Sequence, residues 1–295
     1  MLSGKLFIVS VVCAAFCITL HGQGLPCAVE GDCGIANAQR HNQLGLEYSK
    51  DGIDEMAVRE FSQAIIIEPL LDSAYSNRGR IYLKQGKFAA AIQDFNKAIQ
   101  IRPDTFSSYK YRGDAYFDHR DFTLAIRDYS IVNEMIGVDD DAYARCAWSY
   151  LYLGDGRHAF EEMLKFLNVS SDDNPKVPFM LLVGHLALRQ SHHEDEAKSF
   201  LLGALPHLNP AAWPTQIARY LVGQLNEQQL LAMAADPEKR VQASAFVGMN
   251  QSLKGNLISA LDHLHDVVAS GKTSLFEFPL AESEIHRLES VRTSR

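Results

Sequence analysis

The segment GRIYLKQGKFAAAIQDFNKAIQIRP, Gly79 to Pro103, contains a complete set of instructions for a pair of antiparallel helices. Gly79 and Ala91 are small where two helices must approach closely, because any larger side chain would wedge them apart. Gly86 stands where the first helix must reverse, a position that favours a left-handed cap residue. Tyr82 and Phe95 supply bulk to fill the gap between neighbouring pairs. Pro103 closes the second helix, since proline cannot continue it and biases its predecessor away from helix.

The same pattern recurs in both directions. Tyr48, Tyr82, Tyr116 and Tyr150 follow one another at intervals of 34 residues. Three residues before each lie Gly45, Gly79, Gly113 and Ala147. Nine after them come Ala57, Ala91, Ala125 and Ala159, and thirteen after them Phe61, Phe95, Tyr129 and Met163. Gly52, Gly86 and Gly154 occupy the turn, and Arg120 breaks that pattern in the third unit. Pro69 and Pro103 close their units, whereas Ser171 stands in the fourth where proline would be.

A period of this length with these residues resembles the tetratricopeptide repeat. The resemblance implies an all-α, right-handed superhelical solenoid of helix pairs. Four units are expected over 38–171 and a degenerate fifth over 172–206, where Gly184, Ala197, Leu201 and Ala204 keep the registers if one residue is inserted near His192. Divergent helices follow over 207–240, with Asn226 and Gln229 predicting a helix capping box. A further pair over 241–295 carries Gly248, Gly255, Ala260, Leu264 and Val267, and a closing helix near Leu280 to Val291 covers it, as a terminal repeat requires.

Residues 1–24 read as an export signal. Lys5 is followed by an uncharged run from Leu6 to Leu20, too short for the roughly 18 apolar residues that span a bilayer. Gly22 and Gly24 place cleavage near Gly24; the alternative is an anchor that is never cut. No second apolar stretch of spanning length follows, so the mature chain is expected to be exported to a periplasm or secreted. Residues 25–37 form a leader. In an oxidising compartment Cys27 and Cys33, close together in a helix-poor stretch, are the natural disulfide pair, against two unlinked thiols in a flexible leader. Cys146 is then a lone buried thiol. Cys13 after Val11-Val12, Cys17 after Ala15-Phe16 and Cys27 after Leu25-Pro26 each fit poorly with the small residues that stand just before a lipidated cysteine.

The C-terminal third resembles the periplasmic repeat proteins typified by new lipoprotein I (NlpI). The matching elements are Trp213, Tyr220-Leu221-Val222-Gly223, Asn226-Glu227-Gln228-Gln229-Leu230, the Gly248 to Leu264 pair, and Gly271 through Phe276-Glu277 into Ala281-Glu282. The resemblance implies a dimeric envelope adaptor that brings peptidoglycan hydrolases to a processing protease or to partner hydrolases. The missing lipid site departs from it. A pilotin-like or secretion-assembly chaperone is the alternative, using the same repeat for one outer-membrane client.

The net charge of −8 comes from mixed-sign sequence with no basic stripe, which argues against nucleic acid as a partner. No phosphate-cradling glycine loop, G-x-S-x-G or H-E-x-x-H occurs, so neither an enzyme, a cofactor nor a metal is expected. His192 and His193 read as a solvated turn, and Asp139-Asp140-Asp141 as a helix N-terminus whose carboxylates favour the macrodipole. The inner face of the solenoid remains, formed by the first helix of each unit. Its expected groove residues are Leu46, Asn77, Arg80 and Lys84, then Lys110, Tyr111 and Phe117 with Asp114 and Asp118, then Arg145, Trp148 and Tyr152. Aromatic area flanked by cations is the composition of a protein-binding hot spot. The clamp that captures acidic chaperone tails is not present, since only Asn77 of its residues is found here.

Overall fold

The computed structural model describes residues 30–137, 139–171 and 173–293, and every regular element among them is helical. The chain forms a solenoid of antiparallel helix pairs. Unit 1 pairs α1 (Glu30–Lys50) with α2 (Asp54–Ile67), and unit 2 pairs α3 (Asp72–Lys84) with α4 (Phe88–Ile101). Unit 3 pairs α5 (Phe106–Asp118) with α6 (Phe122–Ile136), unit 4 pairs α7 (Asp140–Tyr152) with α8 (Gly156–Val169), and unit 5 pairs α9 (Val177–Gln190) with α10 (Glu194–Ala204). Two short helices, α11 (Trp213–Leu221) and α12 (Glu227–Met233), precede a last pair, α13 (Pro237–Leu253) and α14 (Leu257–Ala269), and the terminal helix α15 (Glu277–Thr293). The export signal, Cys27 and the expected pairing of Cys27 with Cys33 lie outside the described residues and side chains. The backbone around Cys33 is already helical, because α1 begins at Glu30, inside the segment expected to be poor in helix.

The small residues hold the pairs together by contact. A Cβ at Gly79 would lie 2.9 Å from the ring of Phe95, one at Gly113 2.9 Å from Tyr129, and one at Gly45 2.6 Å from Phe61. Those three rings are fully buried. The last pair repeats the device, with Gly248 seated 2.7 Å from Leu264 by the same measure. Turn glycines Gly52, Gly86 and Gly154 take φ values of 77°, 70° and 78°. Arg120 holds the same left-handed conformation at φ 73°, and His192 at φ 64°, so the turn geometry persists where glycine does not.

A ladder of ion pairs, with buried aspartates and half-buried arginines, runs along units 2 and 3. Arg78 makes two hydrogen bonds to Asp94 at 2.8 and 2.7 Å, and Arg112 makes two to Asp128 at 2.7 Å. Both pairs span 16 residues, the separation of the close-packed helices. In unit 4 the ladder stops, since Cys146 occupies the arginine position and Glu162 the aspartate position.

The solenoid does not end as an open rod. Arg189 of α9 donates to Asn250 of α13, which donates in turn to Tyr220 of α11 at 2.8 Å, tying the divergent helices to unit 5 through a buried polar chain. The capping box expected at α12 is formed, with Asn226 and Gln229 bonding reciprocally. Helix α15 covers α14 through Ala281 and Leu288, which join Val241, Ala245, Ala260, Leu264 and Val267 in a small core of their own. It also packs against α7, three units back in the chain.

Candidate protein-binding face

The first helices of units 1 to 4 present the expected residues along one face, and the structure divides that face in two. Its N-terminal part is polar and open. Asn77 donates to Asn42 of the neighbouring helix at 3.1 Å. Arg80 is exposed and lies over the ring of Tyr111, 5.0 Å from its centroid. Tyr111 stacks in turn on Phe95 at 6.0 Å, so its ring is fixed from below while its edge and the guanidinium face outward. Lys84 reaches Asp54 at 3.0 Å, with 60% of its side chain exposed. Leu46 is the exception, packed half-buried against Ala57, Phe61 and Ile81 as core between units 1 and 2. Its place in the groove register is correct, but a neutral apolar side chain there finds more contact in the next unit than in solvent.

Lys110 sits at the middle of the face and is held by Asp139 at 2.6 Å. The three aspartates are all engaged. Asp139 caps α7 by accepting from the Ala142 amide, Asp140 accepts from Asn174 at 2.8 Å, and Asp141 pairs with Lys176. The cap reading of this run is the structural one.

The C-terminal part of the face is closed by the chain itself. Phe117, Trp148 and Tyr152 are 4%, 4% and 6% exposed. Phe276, in the connection from α14 to α15, lays its ring parallel to Trp148 at 5.4 Å and against Phe117 at 5.7 Å. The Tyr152 hydroxyl donates to the backbone carbonyl of Phe276 at 2.7 Å. Arg145 lies over Phe117 at 5.1 Å and pairs with Asp114 at 3.3 Å. The three aromatics expected to be open therefore face the groove but are covered, because residues more than a hundred positions downstream fold back over them.

Titration follows burial. Glu277, at the start of α15, is 2% exposed, and burial pushes its carboxyl up to about 7, opposed by bonds from its own backbone and Gln242. Asp118 is raised by burial and by Asp114, with Arg145 and Arg120 opposing. Cys146 is buried, and burial raises its thiol far above the ordinary range, so it is an inert packing residue. A cavity of about 500 Å³ opens beside the covered aromatics, walled by Trp148, Phe179, Met180 and Phe276 and edged by Arg145, Lys176, Asp141 and Glu277.

The residues that sequence reasoning missed are Phe276, Phe179 and Lys176, which complete the wall. In the sequence Phe276 stands only within the stretch that resembles the NlpI type. Nothing in a 34-residue register marks it, because it lies outside every unit.

The tetratricopeptide repeat family model matches residues 73–105. No curated protein sequence matches the chain. A solved tetratricopeptide repeat protein from Parabacteroides merdae is similar in fold, with a TM-score of 0.61 and 15% identity, covering 84% of this chain and 99% of its own. The MamA protein is similar at a TM-score of 0.53 and 18% identity, over 64% of this chain and 97% of its own. A second MamA structure gives 0.53 and 17%, over 60% and 94%. At these identities the likeness is one of fold, and the fold is the tetratricopeptide solenoid.

Proposed function

We propose that this protein is a non-catalytic scaffold that holds segments of other proteins against the open part of its inner face, between Asn77 and Lys110. The observation that carries the reading is the Arg80–Tyr111–Phe95 stack, in which an exposed cation and a half-buried ring are held together and no element among the described residues covers them. A pre-positioned ring and guanidinium lose little entropy when a partner arrives, and such residues dominate binding energy at interfaces. Export to a cell envelope is part of the proposal and rests on residues 1–24. An adaptor that joins peptidoglycan hydrolases to a protease, acting as a dimer, is the partner class supported by the resemblance of the C-terminal third to the new lipoprotein I family. Among the described residues no helix is long and apolar enough to cross a membrane.

A photo-crosslinking residue placed at position 80 tests the reading, with one at position 66 as the control, since Ile66 is 69% exposed on the second helix of unit 1. Adducts with envelope proteins are expected from position 80 and not from position 66. Charge reversal at Arg80 and Lys84 should slow association and lose its effect in high salt, as exposed charges do. Equal labelling from both positions would place recognition elsewhere.

A further inference from the structure

The connection between α14 and α15 has the form of a bound peptide. Gly271 turns the chain at φ 65°, and the segment then meets Phe117 of α5 and Trp148 and Tyr152 of α7 through Phe276. Thr273 and Ser274 are exposed and Leu275 is half-buried. Phe276 is held by three contacts. Its ring stacks on Trp148 and lies tilted against Phe117, and its carbonyl accepts from the Tyr152 hydroxyl. The next residue, Glu277, is buried and bonded to Gln242. Yet Phe276 keeps 38% of its surface exposed, and its outer side looks into the 500 Å³ cavity walled by Phe179 and Met180. An incoming side chain can reach Trp148 through that cavity while the backbone of the connection and α15 stay where they are.

We propose that the Trp148 seat is a second recognition site, specific for an extended peptide that carries an aromatic residue followed by an acidic one, and that Phe276 is a resident stand-in that this peptide's aromatic side chain replaces. The class of partner is read from the occupant, since the chain's own Leu275-Phe276-Glu277 is the sequence the seat already accepts. Aromatic stacking on Trp148 and the edging cations Arg145 and Lys176 would be re-used in the exchange, while the Tyr152 hydroxyl keeps its bond to the Phe276 carbonyl. Arg145 pairs with Asp114 and Lys176 with Asp141, yet their side chains stay 30% and 48% exposed, so each keeps N–H donors that a peptide's acid can share. The proposal rests on the scaffold reading of the inner face but concerns a different stretch of it.

A stand-in reduces apparent affinity by the fraction of molecules in which it is displaced, so removing it should tighten binding. The probe is a labelled synthetic peptide with the sequence from Lys272 to Phe278, with a version carrying alanine at the aromatic position as control. Full-length Phe276→Ala is expected to bind the probe about ten-fold or more tighter than the unsubstituted protein, and to ignore the control. Trp148 emission, red-shifted in the variant, should return toward the parent value as the probe binds. Phe276→Leu preserves apolar cover without the ring stack and serves if the alanine variant melts early; it too should bind the probe more tightly than the parent.

Two results would overturn the proposal. One is a folded variant that binds the probe no better than the parent, or binds probe and control alike. The other is a dimer in light scattering that Phe276→Ala dissociates, which would assign the seat to the same segment of a second copy. These outcomes are separable from failure of the scaffold reading. Crosslinks from position 80 report on the open face whatever the probe does, and the probe reports on the seat whether or not position 80 finds a partner.

Discussion

Burial of Glu277 gives the protein a titration with a definite sign. Its carboxyl titrates near 7 in the folded chain and near 4.5 when unfolded, so between those values the unfolded chain has lost a proton that the folded chain keeps. Stability from this group therefore falls as pH rises through that window and levels off above it. His185 acts oppositely. It is 2% exposed, accepts no proton until about 4 because burial disfavours the imidazolium, and titrates near 6.5 when unfolded. Its contribution falls as pH drops from about 6.5 to about 4, so the two residues offset each other between 4.5 and 6.5. Glu277→Gln is expected to raise stability at pH 7 by roughly 1 to 3 kcal/mol and to leave a melting temperature that climbs with pH from acid to neutral. Melts of both proteins across that range check it, and parallel curves would mean that Glu277 is solvated. Cys146 gives a simpler test. Alkylation without denaturant should leave it unlabelled, as its Sγ is enclosed beside the Ile126 carbonyl at 4.0 Å.

At the scale of the helix pair, contact distances decide what each position tolerates. Gly79→Leu must displace the Phe95 ring, which has 0% exposure and no free direction, so a loss of about 1 to 3 kcal/mol or more is expected in denaturant melts. The left-handed turns give a prediction of opposite sign. His192 is exposed at φ 64°, and His192→Gly should stabilise by about 1 kcal/mol because glycine takes that conformation without a steric penalty. Arg120→Gly gains the same relief but loses the ion pair to Glu282 at 3.4 Å and the contact with Phe278, so its net gain should be smaller. Comparing the two variants separates backbone strain from the tie between the third turn and α15. An equal gain at both positions would show that tie to contribute nothing.

At the scale of the molecule, α15 turns a one-dimensional array into a closed structure. In an open solenoid each unit senses only its neighbours, and damage stays local. Here Trp148→Ala with Tyr152→Ala removes the floor on which Phe276 lies. The expected result is a lowered melt, on the order of 3 kcal/mol or more, because both side chains are core. Hydrogen exchange should rise over 273–288 as well as in α7, while α2 to α4 keep their protection. Exchange that rises in unit 4 alone would mean that the terminal helix holds its place without the aromatic contact.

The repeat units, their turns and their close contacts were legible in the sequence because each is made by residues a fixed short distance apart. Gly79 meets Phe95 sixteen residues on, and that geometry reappears wherever the register does, so periodicity reveals it. The same locality identified the capping box at Asn226 and the buried thiol at Cys146. Which groove residues are free was decided only by the tertiary structure. Trp148, Tyr152 and Phe117 occupy the positions that register assigns to the inner face, yet whether they meet solvent depends on Phe276, whose carbonyl bonds a residue 124 positions away. No repeat encodes that separation. A side chain's place on a helix follows from local geometry, whereas what covers it follows from where a distant segment finds its lowest free energy, and only the folded chain brings the two together.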